Sequence, residues 1–184
     1  MKSDFLIHTV DTAPDASRPA LQKLQASVGM IPNLAAAMAE SPALIHGFVN
    51  LRHQLETGGS FSAAERELLS LVNAAENDCR YCTAIHATFG LKAGLQPTAI
   101  DRLRSGGAPD GERLAALSVF ARRVLRSRGD VAGDDLVAFL AAGFTRAQAL
   151  EVIARLALSV MANYAGHLTQ VPPDEAIRPM FRPA

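Results

Sequence analysis

The chain has no tryptophan and only two tyrosines, and aromatic residues make up 5% of its 184 positions. Few aromatics and no sustained two-residue alternation of apolar and polar side chains argue against a β-sheet core. Neither sign of charge is in surplus, with Lys+Arg and Asp+Glu both at 18. That balance removes the electrostatic case for nucleic acid or an anionic membrane as a partner. The opening residues, Met1 to His8, lack the apolar run of a signal peptide. The most apolar window, 147–165, is interrupted by Glu151 and Arg155, so it offers no clean membrane span. With no targeting segment in view, the expected location is the cytoplasm. Cysteine is scarce as well: the only two are Cys79 and Cys82.

What is present is helical. Hydrophobic residues make up 49% of the chain, and its length suits one domain with a real core. Residues 1–16 read as an N-terminal arm, 17–170 as a helical domain and 171–184 as a proline-rich tail that cannot be helical throughout. Ser17 opens a helix to about Val28, and Pro32-Asn33 a short one. Ser41-Pro42 starts a helix to about Glu56, with proline at the first helical position. Ser62-Ala63-Ala64-Glu65 and Thr145-Arg146-Ala147-Gln148 are capping boxes. Asn77 or Asp78 is expected to cap the helix that carries the cysteines, and Asp110 another one. The fold class is therefore all-α. The last long helix, to about His167, is apolar almost all round, which predicts a central position or burial by a second copy. Its polar exceptions, Glu151 and Arg155, are read as an i,i+4 pair on one exposed edge.

Cys79-Arg80-Tyr81-Cys82, with His86 four residues beyond Cys82, is the most informative stretch. On one helix, Cys79, Cys82 and His86 share a stripe roughly 60° wide. Two thiols so placed can close a local disulfide, and His86 can take a proton from Cys82. Three other readings compete. The cysteines could be small buried apolar residues. They could belong to a zinc site, but there is a single Cys-x-x-Cys pair and His8, His46, His53 and His167 have no matching spacing. They could belong to a thioredoxin-like fold, which needs a βαβ pattern that is not found. His46, His53 and His167 are read as surface or helix-end residues, and the run Arg122, Arg123, Arg126, Arg128 as a solvated face.

The preceding helix carries two acids that need an explanation. On its helical wheel Arg66, Ser70 and Asn73 share the side expected to face solvent, while Glu67 falls inside the apolar arc. Glu76 sits at the helix C-terminus, where the macrodipole disfavours an acid. A carboxyl group in apolar surroundings can pass protons near neutral pH. Helical geometry alone does not separate the two.

Glu67, Cys79, Cys82 and His86 at this spacing resemble the active-site signature of alkylhydroperoxidase AhpD-like proteins in the carboxymuconolactone decarboxylase superfamily. Gly29-Met30-Ile31-Pro32-Asn33-Leu34, Ser41-Pro42, Ala64-Glu65-Arg66-Glu67, Asn77, Tyr81 and Asn163-Tyr164 with His167 and Thr169 resemble its peroxidase-related branch. The resemblance implies an all-α fold and a thiol-dependent peroxidase cycling through a Cys79/Cys82 disulfide, with Glu67 and His86 as proton relay. It implies a hydroperoxide substrate, an external thiol or protein reductant, no cofactor, no metal, and a homo-oligomer, trimeric or hexameric. Cys82 is the expected attacking thiolate and Cys79 the resolving one. One departure stands out: the family's alkylhydroperoxidases carry histidine just before the second cysteine, where this chain has Tyr81, a hydrogen-bond donor but a poor base. Tyr81 and Glu76 are kept as possible supporting residues. A decarboxylase-like proton-transfer enzyme and a non-catalytic redox sensor are the alternative functions.

Overall fold

The computed structural model describes residues 4–181. Among them are nine α-helices and no strand: α1 Arg18–Val28, α2 Asn33–Met38, α3 Pro42–Thr57, α4 Ala63–Glu76, α5 Arg80–Lys92, α6 Pro97–Arg104, α7 Glu112–Ser127, α8 Gly133–Ala141 and α9 Arg146–Thr169. Short 3₁₀ turns at Asp15–Ser17 and Glu175–Met180 flank them.

Both capping boxes form. Ser62 Oγ accepts from Glu65 N at 3.3 Å while the Glu65 carboxylate accepts from Ser62 N at 2.9 Å. Thr145 and Gln148 make the same reciprocal pair at the start of α9. A cap of this kind contributes about 1 kcal/mol, and each sets where its helix begins. The chain start of α7 differs from expectation. Its cap is Gly111, and Asp110 instead pairs with Arg102.

α4 is the hub, packed on α5, α6, α7 and α9. Of its supposed solvent face, Ser70 and Asn73 are buried and Arg66 is half-buried. Asn73 is 0% exposed and its amide donates to the Leu156 carbonyl of α9 at 2.8 Å. Ser70 is buried too, its Oγ 3.5 Å from Ser159 Oγ of α9. The expectation failed because α9 lies across the polar side of α4 and supplies hydrogen-bond partners there. Buried polar groups are tolerated when they are paired.

α9 holds a second surprise. Glu151 and Arg155 do not pair. Glu151 accepts from the Ser60 amide and hydroxyl at the foot of α4, whereas Arg155 is buried, 5% exposed. One side of α9 does stay open, with Leu150, Ile153, Tyr164 and Leu168 exposed. Among the described residues no single helix is long and apolar enough to cross a membrane.

Two apolar clusters share α4. One gathers Leu21, Leu24, Ile45, Met38 and the cysteines under α1, α2, α3 and α9. The other gathers Phe61, Phe120, Phe139 and Phe144 with Leu68, Leu71 and Leu117 under α6, α7 and α8.

Candidate active site

α5 does not begin at Asn77 or Asp78. Asp78 takes a left-handed conformation, φ 52°, and Cys79 itself is the N-cap, in extended backbone, its sulfur accepting from Cys82 N at 3.3 Å. Cys79 and Cys82 are joined as a disulfide, with Cα atoms 5.3 Å apart. The stripe of three residues on one helix is thus a cap plus two helical positions. The turn before it is fastened by asparagine: Asn77 Nδ2 donates to Asn73 O at 3.0 Å and to Asn163 Oδ1 at 3.1 Å. His167 Nε2 donates to the Asn77 carbonyl at 2.6 Å. His167 and Asn163 therefore tie the end of α9 to the turn that sets Cys79.

Gly166 lies between them on α9. A Cβ added there would come within 3.2 Å of Cys79 Sγ and 3.9 Å of Cys82 Sγ. The absent side chain lets α9 lie directly over the sulfurs. No helix-wheel reading of α9 could find this, because the reason for the glycine is on α5.

Glu67 of α4 and His86 of α5 meet: the carboxylate accepts from His86 Nδ1 at 2.8 Å. That bond fixes the tautomer that leaves Nε2 as a possible base. Nε2 has no protein partner among the described residues. Glu67, Cys82 and His86 all line one cavity of about 110 Å³. Its remaining wall is mainly apolar, including Leu34, Met38, Phe48, Ile85 and Leu158. Cys79 is not part of that wall. A space of this size admits several waters or a small organic group.

Tyr81 and Glu76 part from this group in different ways. Tyr81 lines the cavity, but its hydroxyl donates to Asp174 of the C-terminal segment and accepts from Leu34 N at 3.4 Å. Burial first, then the Asp174 carboxylate, push the phenol far above its usual range. Tyr81 is therefore a fixed donor that straps residues 171–181 and α2 to the cysteine helix, and not a base. Glu76 lies away from the cavity, in ion pairs with Arg122 at 3.2 Å and Arg126 at 2.8 Å. Those pairs offset the unfavourable helix dipole. They also correct the reading of the arginine run as solvated at one member: Arg122 is buried and donates to the Leu103 carbonyl, whereas Arg123, Arg126 and Arg128 are exposed. His46 donates to the Ala16 carbonyl, a surface role.

Arg155 is the residue that sequence reasoning missed. It lines the same cavity as Glu67, Cys82 and His86. Burial, the largest influence, draws its guanidinium down to about 10, partly countered by the Glu67 charge, so it is a cation at neutral pH.

Residues 42–122 match the model of the carboxymuconolactone decarboxylase family. Among solved structures, the fold is similar to an uncharacterized peroxidase-related protein with an alkylhydroperoxidase AhpD core from Ralstonia eutropha JMP134 (TM-score 0.83, 22% identity, 96% of this chain and 95% of that one). It is also similar to an uncharacterized peroxidase-related protein from Silicibacter sp. TM1040 (TM-score 0.78, 21% identity, 97% and 94%). A third likeness is to a cysteine-to-alanine variant of the debrominase Bmp8 in complex with 2,3,4-tribromopyrrole (TM-score 0.80, 15% identity, 98% and 96%). No curated protein matches the sequence significantly. Residues 42–122, which hold all of Glu67, Cys79, Cys82 and His86, are thus similar to the carboxymuconolactone decarboxylase family, and the all-helical fold is the one seen in the AhpD-like structures.

Proposed function

We propose that this protein is a thiol-dependent peroxidase that reduces organic hydroperoxides through a Cys79/Cys82 dithiol–disulfide cycle. The observation that carries the reading is the convergence of Cys82 and the Glu67–His86 pair on one apolar cavity, with Cys79 behind it in disulfide distance. In the reduced protein the Cys82 thiolate attacks the terminal peroxide oxygen. The O–O bond breaks, Cys82 becomes a sulfenic acid, and the alkoxide leaves as alcohol with a proton from His86 Nε2. Cys79 then attacks the sulfenic sulfur, forming the disulfide and releasing water. The cavity, which Cys82 lines and Cys79 does not, favours Cys82 as the attacking group and leaves Cys79 to resolve. An external dithiol supplies two electrons and two protons to reopen the bond.

Three other uses of the site are distinguishable. A debrominase stands among the structural likenesses, and reductive removal of bromide from an aromatic ring would consume the same two thiols. Decarboxylase-like proton transfer would need Glu67 and His86 but neither sulfur, and a redox sensor would oxidise once per thiol pair. The test is hydroperoxide consumption with dithiothreitol or a thioredoxin-type reductant, beside Cys82→Ser and Cys79→Ser, with a bromopyrrole as parallel substrate. Many turnovers in the wild type, none in Cys82→Ser and a single oxidation in Cys79→Ser support the peroxidase. Stoichiometric oxidation without turnover, or activity that survives both substitutions, overturns it. The exposed row Leu150, Ile153, Tyr164 and Leu168 on α9 supports the companion expectation of a homo-oligomer. A monomer mass in light scattering at micromolar concentration overturns that.

A further inference from the structure

Arg155 is a buried cation without a partner. It makes no hydrogen bond and no ion pair among the described residues, and its Nε is shut off from solvent with nothing to donate to. The charged groups around it are already engaged. Glu67 is held by His86, and Glu56 is bound by Arg52 at 2.6 Å. Arg52 also donates to Ser27, and Arg66 donates to the Phe61 carbonyl. An unpaired buried charge is costly, and an arginine fork presents donors matched to a carboxylate. One turn further along α9, Ser159 lines the same cavity, and Ser70 faces it from α4. The polar lining is thus the Arg155 guanidinium with two hydroxyls beside it, together with the Glu67–His86 and Arg52–Glu56 pairs and Tyr81, and the rest is aliphatic and aromatic.

The geometry points to Arg155 as an anion-recognition residue of this cavity, selecting a small organic acid whose carboxylate docks on the guanidinium while its apolar body lies against Leu34, Phe48, Ile85 and Leu158. For the reaction this inference rests on the peroxidase reading: the favoured substrate is then a hydroperoxide that carries a carboxylate. For binding it stands on Arg155 alone. An anion here feels Arg155 and Arg52 as attractive and Glu67 and Glu56 as repulsive. Because Glu56 is clasped by Arg52, Arg155 is the cation free to take the ligand.

The test is isothermal titration calorimetry of hexanoate and hexan-1-ol into the full-length oxidised protein, where no turnover occurs. Hexanoate is expected to bind at least tenfold more tightly than the alcohol. Arg155→Met should remove that advantage and keep alcohol binding within about threefold, with Arg52→Gln the control of smaller effect. Equal affinity of the two probes, no hexanoate binding, or a preference that survives Arg155→Met and fails in Arg52→Gln overturns the inference. If Arg155→Met does not fold, the wild-type comparison still decides, joined by Arg155→Lys, which keeps the charge, loses the fork and should weaken hexanoate alone. Hydroperoxide turnover is measured on the same wild-type preparation. Arg155-dependent hexanoate binding without turnover defeats the peroxidase reading and leaves the anion site standing, and turnover without a hexanoate preference does the reverse.

Discussion

The two apolar clusters on either side of α4 are filled in opposite ways. On the α7–α8 side large flat rings take up the space: Phe139 stacks on Phe120 at 4.1 Å and on Phe144 at 4.3 Å between ring centroids. Arg113 lies over Phe144 at 3.9 Å and closes the stack to water. On the α1–α3 side the fillers near the site are small: Ala35, Ala37, Ala162, Ala165 and the two cysteines, with Gly166 above the sulfurs. Rings pack to the density of a crystal, whereas alanines opposite a cysteine pair leave a cavity. The lesson is a division of labour. The phenylalanine side holds the molecule together, and that lets the cysteine side carry an opening, a buried cation and an ion pair, none of which favours stability.

Separating the two sides by mutation tests this division. The largest effect should come from the fully buried ring: Phe139→Ala is expected to cost about 3–5 kcal/mol in unfolding free energy. The folded fraction should keep wild-type thiol reactivity. Chemical denaturation beside thiol titration reads both, and a loss of thiol reactivity without a loss of stability would undo the comparison. Next, Glu67→Gln should slow thiol oxidation by about 10²- to 10⁴-fold and alter its pH profile, with little change in melting. Glu76→Gln is its control, since Glu76 bonds only to arginines away from the cavity. It should lower stability and leave the oxidation rate alone, and a reversed outcome would move the relay to Glu76. Gly166→Ala places a methyl 3.2 Å from Cys79 Sγ. Overpacking of this kind costs about 1–3 kcal/mol and should slow disulfide closure in stopped-flow measurements, a change that the same substitution at exposed Gly133 would not produce.

The smallest effect is an acid-dependent one on the phenylalanine side. Burial pushes the Glu65 carboxyl up, but hydrogen bonds from Ser62 and Arg113 outweigh it and hold the group below its usual range. A depressed folded value means that its stabilisation is fully present above the unfolded value of about 4.3. It is lost as pH falls through the folded value. Glu65→Gln keeps the capping acceptor and removes the titration. The melting gap between the two proteins should therefore be constant from pH 7 to about 5 and narrow below that. A gap that widens in acid contradicts the assignment.

How much was legible beforehand depended on whether a feature was local. The Ser62 and Thr145 boxes and the helical class were readable because a cap and a 3.6-residue period act within a few residues. Glu67, Cys79, Cys82 and His86 were readable from their spacing and its family resemblance, although Glu67 and Glu76 looked alike on the wheel. Ser70 and Asn73 were misjudged because a wheel shows that a face is polar and not whether another helix covers it.

Local runs of residues are enough to make the chain helical, to start most of its helices, and to set two thiols, a histidine and an acid at a spacing suited to redox chemistry. It takes the packing of the helices to bring Glu67 and not Glu76 to His86, to tie Tyr81 to Asp174, to make Gly166 the space for the sulfurs and to turn Arg155 to the same cavity. Each of those facts joins residues from different helices. Such contacts depend on how α4, α5 and α9 cross, and that is set by side-chain packing over the whole core rather than by any local run of residues.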